Sequence, residues 1–190
     1  MANPKKSKNE IATIDCALVT IETEDNEFGF ETASEIAVEP QMEETEAIKL
    51  IIKKKLKAQK PASRTLTGNQ ITLTDNVFNP ELVKVLQGGT ITYDTDGKTI
   101  KKYTPPTVGS DDAGEVFKLN AYSAQYNAAG QIVSYEKITY PNCTGVPVAF
   151  SAKDDEFRVP SYTINSAPDE GEAPYTIEYV TALPVLADPS

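Results

Sequence analysis

The chain has 190 residues, 28 Asp and Glu against 18 Lys and Arg, a net charge of −10, no His, no Trp and two Cys. A chain of this length fits one domain with short tails and can build a core without disulfides or metal. Without imidazole there is no Ser-His-Asp triad, no Cys-His pair and no His-ligated zinc, and the acidic balance argues against a protein that grips nucleic acid through Lys and Arg. Binding, structural and carboxylate-based roles remain.

Residues 1–8 carry Lys5, Lys6 and Lys8 but no apolar run after them, so they do not read as a signal peptide. No stretch approaches the roughly 18 apolar residues of a membrane span. The reading is a protein made in a cytoplasm, with residues 1–10 as a flexible basic arm, 11–183 as one domain and 184–190 as a C-terminal tail. Charge falls in blocks. Residues 9–46 hold twelve acids and no base, and residues 47–64 hold seven bases and no acid. Two readings stay open: opposite charges on the solvent faces of neighbouring strands, or segments that meet different partners, such as identical copies.

In chain order, Ile11–Glu22 alternates as a long strand through Ile14, Cys16, Leu18 and Ile21, and Phe28–Val38 does so through Phe28, Phe30, Ile36 and Val38. Glu39–Glu46 reads as a long turn. From 48 to 58, Ile48, Leu50, Ile52, Leu56 and Ala58 alternate with Lys49, Lys53, Lys55 and Lys57, a period of two that favours strand over helix. One helix follows. Asn79 is a good cap, Pro80 suits the first helical position, Glu81 suits the positive end of the dipole, and Leu82, Val85 and Leu86 share an apolar face before Gly88-Gly89.

Hairpins are expected around Thr95-Asp96-Gly97 and Asn127-Ala128-Ala129-Gly130, and further strands at Val146–Ser151, Phe157–Ile164 and Tyr175–Leu183. Nine or ten short strands with one helix give an all-β fold, a sandwich or barrel.

No constellation carries chemistry. Asp94-Thr95-Asp96-Gly97 starts like a calcium loop, but Lys98 stands where a third ligand belongs. Asp111-Asp112 and Asp154-Asp155-Glu156 are loop acids without Trp or an aromatic run to stack a sugar. Gly88-Gly89 ends a helix instead of opening one, so it is no phosphate loop. Cys16 and Cys143 fit no CxxC or metal spacing and read as small buried thiols, and Asn142-Cys143-Thr144 reads as a chance sequon. The expectation is a protein that is not an enzyme, with no cofactor, catalytic or metal residue.

Two stretches go further. Leu66–Thr90 runs from a strand through Thr74-Asp75-Asn76 to the capped helix and Gln87-Gly88-Gly89. Tyr140-Pro-Asn-Cys-Thr-Gly-Val-Pro-Val-Ala-Phe150 is followed by Asp154–Ile164. In order, spacing and flanking strands, residues 11–183 resemble the major tail (tail tube) proteins of tailed bacteriophages.

The resemblance implies a β-sandwich whose sheet joins those of its neighbours into a barrel, with Asn79, Pro80, Glu81, Leu82, Val85, Leu86 and Gly88 in the flanking helix. It implies six-membered rings stacked into a tube that conducts double-stranded DNA, in a virion tail assembled in the host cytoplasm. Tape measure and tail terminator proteins are the implied partners besides the chain itself, and no membrane is involved. The candidate subunit interface is Glu39, Glu43, Glu44 and Glu46 against Lys53, Lys54, Lys55 and Lys57 of an adjacent copy, with Glu39–Glu46 as a loop between rings. The competing class is a monomeric β-sandwich binding module, for phage decoration or carbohydrate.

Overall fold

Alternation of apolar and polar residues commits most of this chain to strands with one wet face. The computed structural model describes residues 12–24, 26–110 and 114–186. Residues 1–11 (which include the N-terminal arm), Asp25, residues 111–113 and residues 187–190 lie outside the described residues.

Twelve strands and one helix are described: β1 (Thr13–Glu22), β2 (Glu27–Phe30), β3 (Ala33–Thr45), β4 (Ile48–Ile52), β5 (Lys55–Lys60), β6 (Ser63–Asp75), α1 (Pro80–Gln87), β7 (Thr90–Tyr93), β8 (Ile100–Thr104), β9 (Phe117–Tyr126), β10 (Ile132–Gly145), β11 (Ser161–Ser166) and β12 (Thr176–Val180). The fold is all-β with one short helix, as the sequence leads one to expect. One antiparallel sheet runs β2-β1-β9-β10-β11-β6-β3, with β12 on β10, and β4-β5 and β7-β8 form separate hairpins.

Register sorts the two faces of this sheet. Val19 opposes Ala121 and Phe30, and Ile21 opposes Leu119 and Phe28, so these residues share one face. That face joins Ile71, Leu73, Tyr162 and Ile164 and the helix residues Leu82, Val83, Val85 and Leu86 in the main core. The other face carries Leu18, Thr20, Asn120 and Tyr122, all buried although they lie outside the main core. Its buried polar groups pair with one another, Asn120 Nδ2 donating to Thr20 Oγ1 at 3.1 Å and Thr139 Oγ1 donating to Asn120 Oδ1 at 2.7 Å. Paired in this way, they escape most of the cost of desolvation.

The helix forms where its caps demand. Asn79 Oδ1 accepts from the Glu81 and Leu82 amides at 2.9 and 3.3 Å, and Gly88 closes it at φ 78°. Val83 is buried along with the three residues read as the apolar face. Gly145 lies against the Leu86 backbone so closely that a Cβ there would collide.

Five expectations need correction. Phe28–Val38 is two strands, because Glu31-Thr32 turn, with the Asn76 amide and side chain both donating to Thr32 O. Glu39–Glu46 is mostly strand, since β3 stays paired with β6 as far as Thr45 opposite Ser63. The 48–58 strand is a hairpin, folded at Lys53 and Lys54 with φ 47° and 62°. Val146–Ser151 has no regular structure, and Arg158 instead stacks on Phe78 and Phe150 at 5.3 and 5.6 Å. Strand also begins only at Ser161, not Phe157.

Candidate functional site

The last half-buried side chain along β3 is Val38, and β6 is buried again only from Gly68. Between them, from Glu39 to Thr67, every residue except the half-buried Ala47 is exposed. The chain therefore sends a two-stranded arm away from its core, built from the outer parts of β3 and β6 and prolonged by β4-β5.

The arm is apolar as well as charged. Met42, Ile48, Leu50, Ile51, Ile52, Leu56 and Leu66 are each 40–68% exposed. Single exposed aliphatics are ordinary, but a cluster of this kind marks a surface that another molecule covers. Lysines interleave with it. At the tip, Lys53 and Lys54 hold left-handed backbone at both central positions, as two-residue turns of the I′ kind require.

All eight residues read as a subunit interface sit on this arm: Glu39, Glu43 and Glu44 on β3, Glu46 just past it, Lys53 and Lys54 in the turn, and Lys55 and Lys57 on β5. Acidic and basic segments therefore come together within one chain. Glu44 Oε1 lies 2.6 Å from Arg64 Nε, which is the cross-ladder reading of the charge blocks. Among the described residues no other member of the basic block is salt-bridged. Lys49, Lys53, Lys54, Lys55, Lys57 and Lys60 present a positive end with aliphatic side chains between them.

Sequence reasoning found the charges here and missed the arm. Exposed aliphatics alternating with Lys look like an ordinary strand, and only the pairing of 33–45 with 63–75 shows that no core lies beneath. The flanking-helix residues do come together, with Gln87 as an unforeseen anchor. Its Nε2 donates to Tyr103 Oη at 2.9 Å, its Oε1 accepts from the Val148 amide at 2.8 Å, and Tyr103 Oη donates to Gly88 O at 2.8 Å.

Cys143 is buried and Cys16 half-buried, and burial pushes the Cys143 thiol up to about 12 and Cys16 upward as well. The Thr99 hydroxyl, and after it the Thr99 and Lys98 amides at 2.9 Å, donate to Asp96 and hold its carboxyl below the usual range. This is turn chemistry. Among the described residues no three His, Cys, Asp or Glu gather as metal ligands would, and no helix is long and apolar enough to cross a membrane. A hollow of about 330 Å³ lies at the C-terminal end of α1, lined by Leu86, Gln87, Pro105, Pro106, Gly145 and Pro147.

No protein-family model matches the chain, and no curated protein matches it. Among solved structures, a chain in the cryo-EM structure of the anti-feeding prophage (AFP) baseplate, 6-fold symmetrised, aligns over 95% of this chain and 97% of its own. The identity is 12% and the TM-score 0.33.

Proposed function

We propose that the chain is a structural subunit of a phage tail tube, forming stacked, six-membered rings around a lumen that passes double-stranded DNA. The observation that carries this reading is the arm from Glu39 to Thr67, whose seven exposed aliphatics one chain cannot bury. The motif resemblance of Leu66–Thr90 and Tyr140–Ile164 supplies the kind of assembly.

Free edges supply a means of joining. Among the described pairings, β2 and β3 end the sheet and the outer side of β12 has no partner. Strands left open in this way pair with other chains unless something blocks them. A heterologous contact of this sort closes into a ring when its rotation allows, and rings can then stack. The net charge of −10 suits a passage for DNA, since a negative wall repels phosphate where lysines would hold it. On this reading the partners are further copies, a tape measure and a tail terminator protein, the location is the virion tail, and the chain has no catalytic task.

Negative-stain microscopy of the purified protein over a range of concentration and salt tests the proposal. Rings or tubes are the expected result. A monodisperse monomer under all conditions would overturn it, and glycan binding by that monomer would establish the binding-module class instead.

A further inference from the structure

A strand has two edges, and on β10 both are used. β9 runs along one of them, while β11 at Cys143–Gly145 and β12 at Tyr135–Thr139 share the other. The chain leaves this line after Ser166 and rejoins it at Thr176, with Pro174 O accepting from Asn69 Nδ2 of β6 at 3.0 Å. β6 pairs with β11 only as far as Asn69 opposite Ser166. Beyond that point β6 follows the arm, and among the described pairings no ladder joins it to β12. The outer edge of β12 is therefore open where the arm departs.

This edge is the least guarded of the sheet. Natural edges are blunted by Pro, by charge, by bulges or by being very short. β3 carries Pro40 with Glu35, Glu39, Glu43 and Glu44, and β2 has only four residues, Gly29 among them. β12 reads Thr176-Ile177-Glu178-Tyr179-Val180, with no Pro, no Lys and one acid. Ile177 and Tyr179 share one of its faces and are both exposed. Glu178 lies on the other, 3.7 Å from Lys137 across the β10-β12 ladder.

The arm holds one strand that matches. In the β4-β5 hairpin Leu50 opposes Ala58 and Ile51 opposes Leu56, so Lys57 is an extra, bulged residue. That bulge guards β5 together with Lys55 and Lys60, whereas β4, Ile48-Lys49-Leu50-Ile51-Ile52, is regular and exposed throughout. Charge complements the match: residues 47–64 hold no acid, and residues 159–190 hold five acids and no base. Within one chain the two strands do not pair, and the arm carries β4 away from the body, so the occupant is a second copy.

We propose that β4 of one copy adds to the outer edge of β12 of another, antiparallel, with Lys49 opposite Glu178. This register sets Ile48 beside Tyr179 and Leu50 beside Ile177 on one face, and keeps the ion pair on the other. A slip of one residue would set Glu178 against an aliphatic and turn the two apolar faces apart. The pairing rests on the self-association proposed above and needs neither rings nor DNA.

Two variants, each with one exposed Cys, test it: Leu50→Cys and Ile177→Cys, both in a Cys16→Ala background and one with a size tag. Directly opposed residues of an antiparallel pair have Cα atoms about 4.5–5.5 Å apart, within disulfide range. Oxidised together at a concentration where the chain associates, they should give a reducible mixed dimer in excess over either like-with-like dimer. Samples that sediment as associated species yet give no mixed dimer would overturn the pairing and leave the subunit reading standing. A parent chain that never associates would overturn both.

A charge exchange gives a second measurement. Glu178→Lys sets like charges opposite each other and should weaken association about fivefold, and adding Lys49→Glu in the same chain should restore it. Loss of the Lys137 contact could not be repaired at position 49, so recovery supports the pairing between copies. Unchanged association, or weakening without recovery, would overturn the proposal.

Discussion

Glu44 and Arg64 face each other across the β3-β6 ladder, with Glu44 Oε1 2.6 Å from Arg64 Nε, on an arm that has no core beneath it. Both side chains are more than half exposed, so the pair contributes only about 0–1 kcal/mol, and less at high salt. The arm therefore stands by its backbone ladder and turn. Arg64→Gln should leave the urea midpoint of the isolated chain unchanged within error. A large drop would mean that this charge pair, and not the ladder alone, holds the arm together.

Reversing the tip tests assembly separately from folding. Lys53, Lys54 and Lys55 are exposed and make no ion pair among the described residues. Their joint replacement by Glu should abolish rings and tubes in the microscope while circular dichroism and the thermal midpoint stay as in the parent. Normal tubes from that triple variant would remove these lysines from the interface.

The aliphatic side of the arm makes the same distinction by another route. Ile48→Ser with Leu50→Ser and Ile52→Ser removes side chains that are already exposed, so monomer stability should change by only about 0.5 kcal/mol per site or less. Association, followed by sedimentation velocity, should fall sharply. For contrast, Leu73→Ala in the fully buried core should cost about 2–5 kcal/mol.

Alkaline pH should loosen the core at a defined place. Burial holds the Cys143 thiol and the Tyr140 phenol up to about 12, from ordinary values of 9.0 and 10.0. Both groups stay protonated in the folded chain while the unfolded chain loses their protons first. Their contribution is complete below pH 9 and is lost as pH rises toward 12. Urea midpoints at pH 8, 10 and 11 should fall in that order, and Cys143→Ala should flatten the first part of the decline.

The helix cap has a measurable value. Asn79→Ala strips the acceptor from the Glu81 and Leu82 amides and should cost about 1 kcal/mol, whereas Asn79→Asp keeps the acceptor and should be nearly neutral. Equal losses for both would place the value of Asn79 in packing.

Much of the local structure was legible in the chain because its causes are local. The Asn79-Pro80 start, the Gly88 end and the hairpins at Gly97 and Gly130 rest on cap and turn chemistry spread over a few residues. The errors fall where the cause is distant. Asn76 breaks Phe28–Val38 by binding Thr32 from 44 positions away, and Glu39–Glu46 is held as strand by residues 63–70.

The opening facts, a net charge of −10 and its division into acidic and basic blocks, were complete in the sequence. What tertiary structure alone decided is that the end of the acidic block and the whole basic block lie on one projecting arm, that its aliphatics have no core to enter, and that Leu186 reaches back to Gly29. Side-chain period tells which residues share a face of a strand. It cannot tell whether anything packs against that face, because packing depends on partners far along the chain.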